Sequence, residues 1–148
     1  LLRHGNRFEE GLNMHVSVPR YWRESKYRYR LIGVRCPSCG AVYFPRRPIC
    51  SRCGSKNLEE YKLSEKGRLL AYTVVKDDPP RGYEFQTPYV VGLVELEDGV
   101  KILTQIVDVF PEEVQVGMPV EMVFRKVREA GVEGIIEYGY KFRPRMAK

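Results

Sequence analysis

The sequence lacks a long hydrophobic run, and this bounds the class of protein that it encodes. No apolar stretch among its 148 residues approaches the roughly 20 residues that a membrane-spanning helix needs. Residues 1–15 also lack the apolar centre of a signal peptide. We therefore expect a cytoplasmic protein without a transmembrane helix, long enough for one ordinary domain or two small ones.

The residues and motifs of common catalytic sites are scarce. The chain has two histidines, His4 and His15, and both fall in an N-terminal segment without clear periodicity. It has no recognisable Ser-His-Asp or Cys-His constellation and no glycine-rich phosphate loop. The sequence therefore predicts a chain that is not an enzyme by itself.

Cysteine is rare too, but its four copies follow a pattern with a chemical meaning. Two Cys-x-x-Cys pairs lie ten residues apart, and a glycine follows each pair directly. Such turns aim two sulfurs at one centre, and two of them complete a tetrahedral four-thiolate site. The predicted metal ligands are Cys36, Cys39, Cys50 and Cys53.

The chemistry of this predicted site is structural. Four protein ligands leave no open position on the metal, which argues against catalysis by it. Zinc is the expected metal, and iron fits the same four sulfurs. Two disulfides, or a redox Cys-x-x-Cys pair, are the disfavoured alternatives, because nothing else in the sequence indicates secretion and a redox motif usually occurs once.

Acidic residues are nearly absent between Arg20 and Lys56, where ten basic residues face one acidic residue for a net charge of +9. Residues 57–148 carry 13 basic and 16 acidic residues, a net charge of −3. The arginines near the cysteines (35, 46, 47 and 52) have two open interpretations. They neutralise a four-thiolate centre of net charge −2, or they meet an anionic ligand or an acidic partner surface.

Ahead of the cysteines, the pattern predicts a helix from about Pro19 to Tyr29 with Ser17 as its capping residue. Tyr21, Trp22, Ser25 and Tyr29 would share one side of it. We interpret this aromatic side as packing on the core, and the alternative is an exposed surface for a partner or an adenine ring. Short strands are expected at Leu31–Arg35 and Ala41–Pro45.

After residue 58 the chain is rich in β-branched and aromatic residues and predicts five strands. They cover Arg68–Lys76, Tyr89–Leu96, Val100–Val107, Val120–Val127 and Glu133–Phe142. Lys101 and Gln105 interrupt the apolar run of the third strand, and residues 111–115 leave room for one helical turn. This order is that of a five-stranded OB-fold barrel. Gly92, Gly134 and Gly139 are expected at bends, and at least some of Tyr138, Tyr140 and Phe142 are expected in the core.

The predicted fold is mainly β, with three segments: an N-terminal arm and helix (1–30), a rubredoxin-like zinc ribbon (31–57) and a C-terminal OB-fold barrel (58–148). OB barrels often bind single-stranded nucleic acid on aromatic residues in a basic groove. The acidic charge of the barrel segment opposes that function here, because phosphate neutralisation normally dominates such binding. Nucleic-acid binding is therefore kept only as the alternative.

An ordered set of short motifs runs from the ribbon to the end of the barrel: Arg35–Gly40, Phe44–Cys50, Cys53–Ser55, Gly67-Arg68, Tyr72–Val75, Pro88–Val91, Val107-Asp108, Gly117–Val120 and Tyr138–Pro144. With these motifs, about residues 19–145 resemble the acyl-CoA-associated OB-fold family, also called domain of unknown function 35. The resemblance implies N-terminal helices, a rubredoxin-like zinc ribbon and an OB barrel.

The resemblance also implies a function. It suggests a non-catalytic accessory or scaffold subunit that binds acyl-CoA or CoA in lipid metabolism. In archaea such a subunit would join acetoacetyl-CoA thiolase to HMG-CoA synthase in the mevalonate route, and bacterial relatives accompany thiolases, hydratases or aldolases. A basic ribbon could hold CoA phosphates while aromatic rings cover the adenine. The candidate ligand-binding residues are Arg46, Arg47, Tyr89, Tyr138 and Arg143. No membrane partner is expected.

Overall fold

The N-terminal helix forms close to where the sequence predicts it. The structure, a computed structural model, describes residues 17–80, 82–129 and 135–145. Helix α1 covers Val18–Arg30 and ends at Leu31, whose φ of 48° is left-handed. Ser17 occupies the N-cap position, but its side chain makes no capping hydrogen bond, so that detail of the prediction is wrong. The helix starts instead with the Ser17 carbonyl, which accepts from the Tyr21 N–H at 2.8 Å. His4 and His15 lie outside the described residues.

The predicted aromatic side of α1 divides between two environments. Tyr21 and Tyr29 pack toward the barrel: the Tyr21 hydroxyl lies 3.0 Å from the Tyr29 hydroxyl, and the Tyr29 ring meets Phe124 edge-on at 4.9 Å. Trp22 faces solvent and is 78% exposed. Packing of this side onto the protein is thus confirmed for the two tyrosines and wrong for the tryptophan.

A small antiparallel sheet follows the helix. Its strands are β1 (Ile32–Arg35), β2 (Val42–Tyr43) and β3 (Glu59–Lys62), in the order β2-β1-β3. Strand β2 is shorter than the predicted Ala41–Pro45 segment. Strand β3 pairs with β1 from Ile32–Lys62 to Arg35–Glu59, so it extends the ribbon sheet beyond the cysteine knuckles. The predicted boundary at residue 57 stays a prediction.

Five further strands close into a barrel. They are β4 (Lys66–Val75), β5 (Tyr89–Leu96), β6 (Lys101–Ile106), β7 (Pro119–Glu129) and β8 (Ile136–Pro144). The strand order β4-β5-β6-β8-β7, with β7 returning to β4, confirms the predicted OB barrel. Short 3-10 helices cover Glu84–Gln86 and Pro111–Glu113. No helix in the described ranges is long and apolar enough to cross a membrane.

The barrel core follows the alternation of side chains along each strand. In β5, Val90, Val94 and Leu96 are buried, and Phe142 of β8 is fully buried opposite β6. Tyr140 packs against this core, whereas Tyr138 is partly exposed. The expectation that some of the last strand's aromatic residues belong to the core is therefore confirmed for Phe142 and Tyr140.

Candidate metal centre and ligand groove

The two cysteine knuckles have the same backbone geometry. The Gly40 N–H donates to the Cys36 carbonyl at 2.8 Å, and the Gly54 N–H donates to the Cys50 carbonyl at 2.9 Å. Both glycines have positive φ, 73° and 74°, which glycine adopts without steric cost. Each Cys-x-x-Cys-Gly segment therefore folds back on itself and presents its two sulfurs to the other knuckle.

The four Sγ atoms gather into one cluster. All lie within 4.8 Å of one another, with Cys36–Cys53 at 3.5 Å and Cys39–Cys50 at 3.6 Å. A disulfide requires about 2.05 Å between sulfurs, so neither pair is bonded. Tetrahedral zinc with Zn–S bonds of about 2.3 Å places its sulfurs about 3.8 Å apart, close to the observed spacing. The cluster therefore suits a metal ion bound by four thiolates.

Burial and one hydroxyl shape the electrostatics of this cluster. Cys36 and Cys50 are buried, and Cys53 is exposed. The Tyr43 hydroxyl lies 3.4 Å from Cys50 Sγ and lowers the pKa of that thiol to about 6. A thiol that ionises readily is a ready ligand, since metals bind the thiolate.

A large groove opens between the helix, the ribbon and the barrel, and it is the second candidate site. Its volume is about 940 Å³, near the upper end of the roughly 300–1,000 Å³ typical of small-molecule sites. Five basic and three acidic side chains line it together with several aromatic rings. They are Arg28, Arg46, Arg47, Lys56 and Lys141, then Glu24, Glu60 and Glu137, and then Tyr27, Phe44, Tyr83, Tyr138 and Tyr140.

The structure brings three of the five predicted ligand residues into this groove. Arg46, Arg47 and Tyr138 line it. Tyr89 instead packs beside Tyr83 at 5.9 Å and lines a separate, smaller pocket. Arg143 lies outside both pockets and forms a 2.8 Å ion pair with Glu121, its cross-strand neighbour. These five residues therefore do not form one constellation.

Two arginines on the ribbon side of the groove lie over tyrosine rings. The Arg46 guanidinium lies 3.8 Å from the Tyr27 ring centre and donates to the Tyr27 hydroxyl at 2.7 Å. Glu60 is 3.9 Å from Arg46 and accepts hydrogen bonds from Tyr27 and Lys26. Arg47 lies over the Tyr43 ring at 5.1 Å. These contacts orient the arginines and leave guanidinium N–H groups available to an anion.

The barrel side contains polar residues that the sequence analysis did not select as ligand-binding. Lys141 is only 6% exposed, and its Nζ donates to Gln86 Oε1 at 3.2 Å. Burial, followed by the charges of Arg125 and Lys126, lowers the pKa of Lys141. Gln105 lies beside it, and Gln105 Oε1 is buried without a hydrogen-bond partner among the described residues. The one signal in the sequence was that Gln105 interrupts an apolar strand.

Two family models match adjoining parts of the chain. The rubredoxin-like zinc ribbon domain of ChsH2 matches residues 23–59, and the C-terminal OB-fold domain of ChsH2 matches residues 60–125. The first segment covers the second part of α1, strands β1 and β2 and the four cysteines, and the second covers most of β3 and the barrel from β4 into β7.

Named relatives add to this likeness. A DUF35 domain-containing scaffold protein of Pyrococcus furiosus is 51% identical over 129 residues, which cover 87% of this chain and 93% of that protein. The benzoylsuccinyl-CoA thiolase subunit BbsA of Thauera aromatica is 29% identical over 113 residues, covering 76% of this chain and 75% of the subunit.

A solved structure corrects one expectation. The Ltp2-ChsH2(DUF35) aldolase superposes with a TM-score of 0.67 at 32% identity, covering 85% of this chain and 92% of that chain. A DUF35 chain is thus part of an assembly that is itself named an aldolase. The expectation of a non-catalytic chain is therefore wrong, because it rested on motifs within one chain and overlooked catalysis by an assembly.

Proposed function

Because the chain belongs to the DUF35 family of zinc-ribbon and OB-fold proteins, we propose that it is a scaffold subunit of an acyl-CoA enzyme assembly. In this assembly it holds CoA or an acyl-CoA against a thiolase-like partner. The named relatives support the partner class, since one is a thiolase subunit and another is part of an aldolase. Acetoacetyl-CoA thiolase together with HMG-CoA synthase, in the mevalonate route, is the partner pair that we propose.

The groove is the observation that carries this proposal. CoA joins a phosphorylated adenosine to a long, thin arm, so its site needs cations, an aromatic surface and length. The ribbon wall supplies Arg46, Arg47 and Lys56 for the phosphates. Tyr138, partly exposed and stacked on Phe124 at 5.5 Å, offers a ring to the adenine. The excess of positive charge in the groove suits a polyanionic ligand.

Zinc is the metal that we propose for Cys36, Cys39, Cys50 and Cys53. Bound there, it would supply structural cross-linking, because four thiolates complete its coordination. Metal analysis of the purified protein distinguishes zinc from iron. Cys50→Ser should lower the metal content and loosen the ribbon, while Ser38→Ala, in the exposed part of the first knuckle, should do neither. A fully metallated, equally stable Cys50→Ser protein would contradict this assignment.

Binding of CoA to the full chain tests the ligand. We expect calorimetry to detect CoA binding, and the double variant Arg46→Gln, Arg47→Gln to weaken it by about tenfold or more. Arg52→Gln is the matched control, because Arg52 is exposed on the second knuckle and does not line the groove. Tight, salt-sensitive binding of a single-stranded oligonucleotide without CoA binding would favour the nucleic-acid alternative instead.

Co-purification tests the partner. A tagged chain recovered from native extract should carry a thiolase-like or HMG-CoA synthase subunit in stoichiometric amount. Adding that partner should restore an acyl-CoA reaction that neither protein performs alone. Recovery of the chain by itself under conditions that preserve complexes would count against the assembly.

A further inference from the structure

The groove ends in a fork between two strands of the barrel. Strands β6 and β8 run parallel and meet where Ile106 pairs with Phe142, and the Val107 N–H donates to the Phe142 carbonyl at 2.8 Å. Within the described residues this is their one register pair, so the strands separate toward Leu103 and Tyr138, which both line the groove. The closed end of the fork is therefore the inner end of the groove.

Gln105 and Lys141 occupy this closed end, one on each strand. Each precedes a residue of the Ile106–Phe142 pair, and those two side chains are buried in the core. Because successive side chains of a strand point to opposite faces, Gln105 and Lys141 point away from the core. Both line the groove.

The hydrogen bonds of Gln86 determine how these two side chains are oriented. Gln86 Nε2 donates to the Val127 carbonyl at 2.9 Å, which directs Gln86 Oε1 toward the fork. That oxygen accepts from Lys141 Nζ at 3.2 Å and from Gln105 Nε2 at 3.4 Å. With its nitrogen turned to Gln86, Gln105 presents its oxygen elsewhere, and this is the buried oxygen without a partner.

The closed end thus has both a spare donor and a spare acceptor. An ammonium group has three N–H donors, and the hydrogen bond of Lys141 to Gln86 uses one. A buried carbonyl oxygen without a hydrogen bond costs free energy that a ligand N–H would recover. The two spare groups are held beside each other by the same Gln86 oxygen.

We propose that this end of the groove binds a secondary amide, with the amide C=O accepting from Lys141 Nζ and the amide N–H donating to Gln105 Oε1. A carboxylate or phosphate would satisfy Lys141 but would turn another acceptor toward Gln105 Oε1. The inference rests on the proposed function, whose ligand carries secondary amides in its pantetheine arm. It orients CoA, with the arm at the fork and the phosphates at the ribbon.

Two fragments of CoA, pantetheine and adenosine 3′,5′-bisphosphate, test the two ends of the groove separately. In calorimetry on the full chain, Lys141→Met and Gln105→Leu should each weaken CoA and pantetheine by about tenfold, the order of one buried hydrogen bond. Both should bind adenosine 3′,5′-bisphosphate as the wild type does. Lys141→Arg, which keeps a cationic donor at this position, should retain more affinity for pantetheine than Lys141→Met.

Control variants outside the groove test whether the loss of affinity is specific to the closed end. Lys101→Met and Gln115→Leu make the same replacements at exposed positions outside the groove and should bind CoA normally. If the wild type binds CoA and both apolar variants bind CoA and pantetheine equally well, the amide site is refuted and the proposed function stands. An equal loss of affinity for adenosine 3′,5′-bisphosphate in these variants would also refute the amide site. A wild type that binds no CoA would refute the proposed function and this inference together.

Discussion

At the scale of single residues, Gly92 illustrates how tightly the barrel is packed. A Cβ atom at this position would lie 2.5 Å from Leu69 Cδ1 and 2.9 Å from Ile106 Cγ1. The strand opposite shifts register between Leu69 and Ala71, next to the Tyr72–Gly92 pair. The expected bend at Gly92 thus coincides with an irregularity of the neighbouring strand, and the glycine also provides space for two buried side chains.

Gly92→Ala should therefore destabilise the barrel by about 1–3 kcal/mol, the usual cost of overpacking a core. Chemical denaturation would measure this loss. Gly139→Ala is a graded control, because its new Cβ would meet only Val127 Cγ2, at 3.1 Å. Combining Gly92→Ala with Leu69→Val should recover part of the loss. Strict additivity of the two changes would show that the contact with Leu69 is not the cause.

The burial of Lys141 should make the stability of the folded protein depend on pH. Its pKa is lowered in the folded protein, by burial first and then by Arg125 and Lys126. At pH values where Lys141 is protonated in both the folded and the unfolded protein, its charge therefore costs folding free energy. This cost decreases as the pH rises above the folded-state pKa, and it is gone near the ordinary value of about 10.4. We expect Lys141→Met to raise the melting temperature most at neutral pH and less at alkaline pH. A pH-independent difference would contradict this origin, and Lys101→Met provides the exposed control.

At the scale of elements, one side chain attaches helix α1 to the barrel. The Tyr21 hydroxyl accepts from the Tyr138 N–H at 2.8 Å and lies 3.0 Å from the Tyr138 carbonyl. Burial and the neighbouring Tyr29 hydroxyl raise the pKa of Tyr21 to about 12. The Tyr21 side chain thus connects helix α1 to strand β8 at the groove residue Tyr138.

Tyr21→Phe should loosen α1 without unfolding the barrel. The expected cost is about 1 kcal/mol for the lost hydrogen bonds. Hydrogen exchange should increase in α1 and at Tyr138, and it should stay unchanged in β4 and β5. Tyr72→Phe, a change of the same kind on a half-exposed barrel residue, is the control. Unchanged exchange in α1 would mean that ring packing alone holds the helix.

Individual elements could be predicted from the sequence, but the contacts between elements could not. The helix, the barrel strands and the cysteine knuckles were predictable because each has a local signal of periodicity or spacing. The groove has no such signal, because it forms where three separate elements meet. Arg143 was chosen for its charge, but the β7–β8 register places it opposite Glu121. Lys141 and Gln105 were not chosen as ligand residues, because only the β6–β8 fork shows that they are neighbours.

At the scale of the whole molecule, the ribbon and the barrel are joined but have different sources of stability. Asp98, in the β5–β6 hairpin, accepts from the Tyr61 hydroxyl at 2.8 Å and from the Ser64 N–H. Most of the apolar core consists of barrel residues, including Leu69, Val94 and Phe142, and the ribbon packs partly buried side chains such as Val42 and Phe44 against it. The ribbon sheet is small and surrounds the cysteine cluster, so a bound metal would provide much of its stability.

Removing the metal should therefore unfold the ribbon and leave the barrel folded. With a strong chelator, we expect hydrogen exchange to rise across β1, β2 and the cysteine knuckles while β4 to β7 stay protected. Because Arg46 and Arg47 lie on the ribbon, affinity for adenosine 3′,5′-bisphosphate should fall much more than affinity for pantetheine, whose proposed contacts are on the barrel. Adding zinc back should restore both the protection of the ribbon from hydrogen exchange and the affinity for adenosine 3′,5′-bisphosphate. Simultaneous loss of protection in ribbon and barrel would mean that the two form one cooperative unit, and the groove would then depend on the metal as a whole.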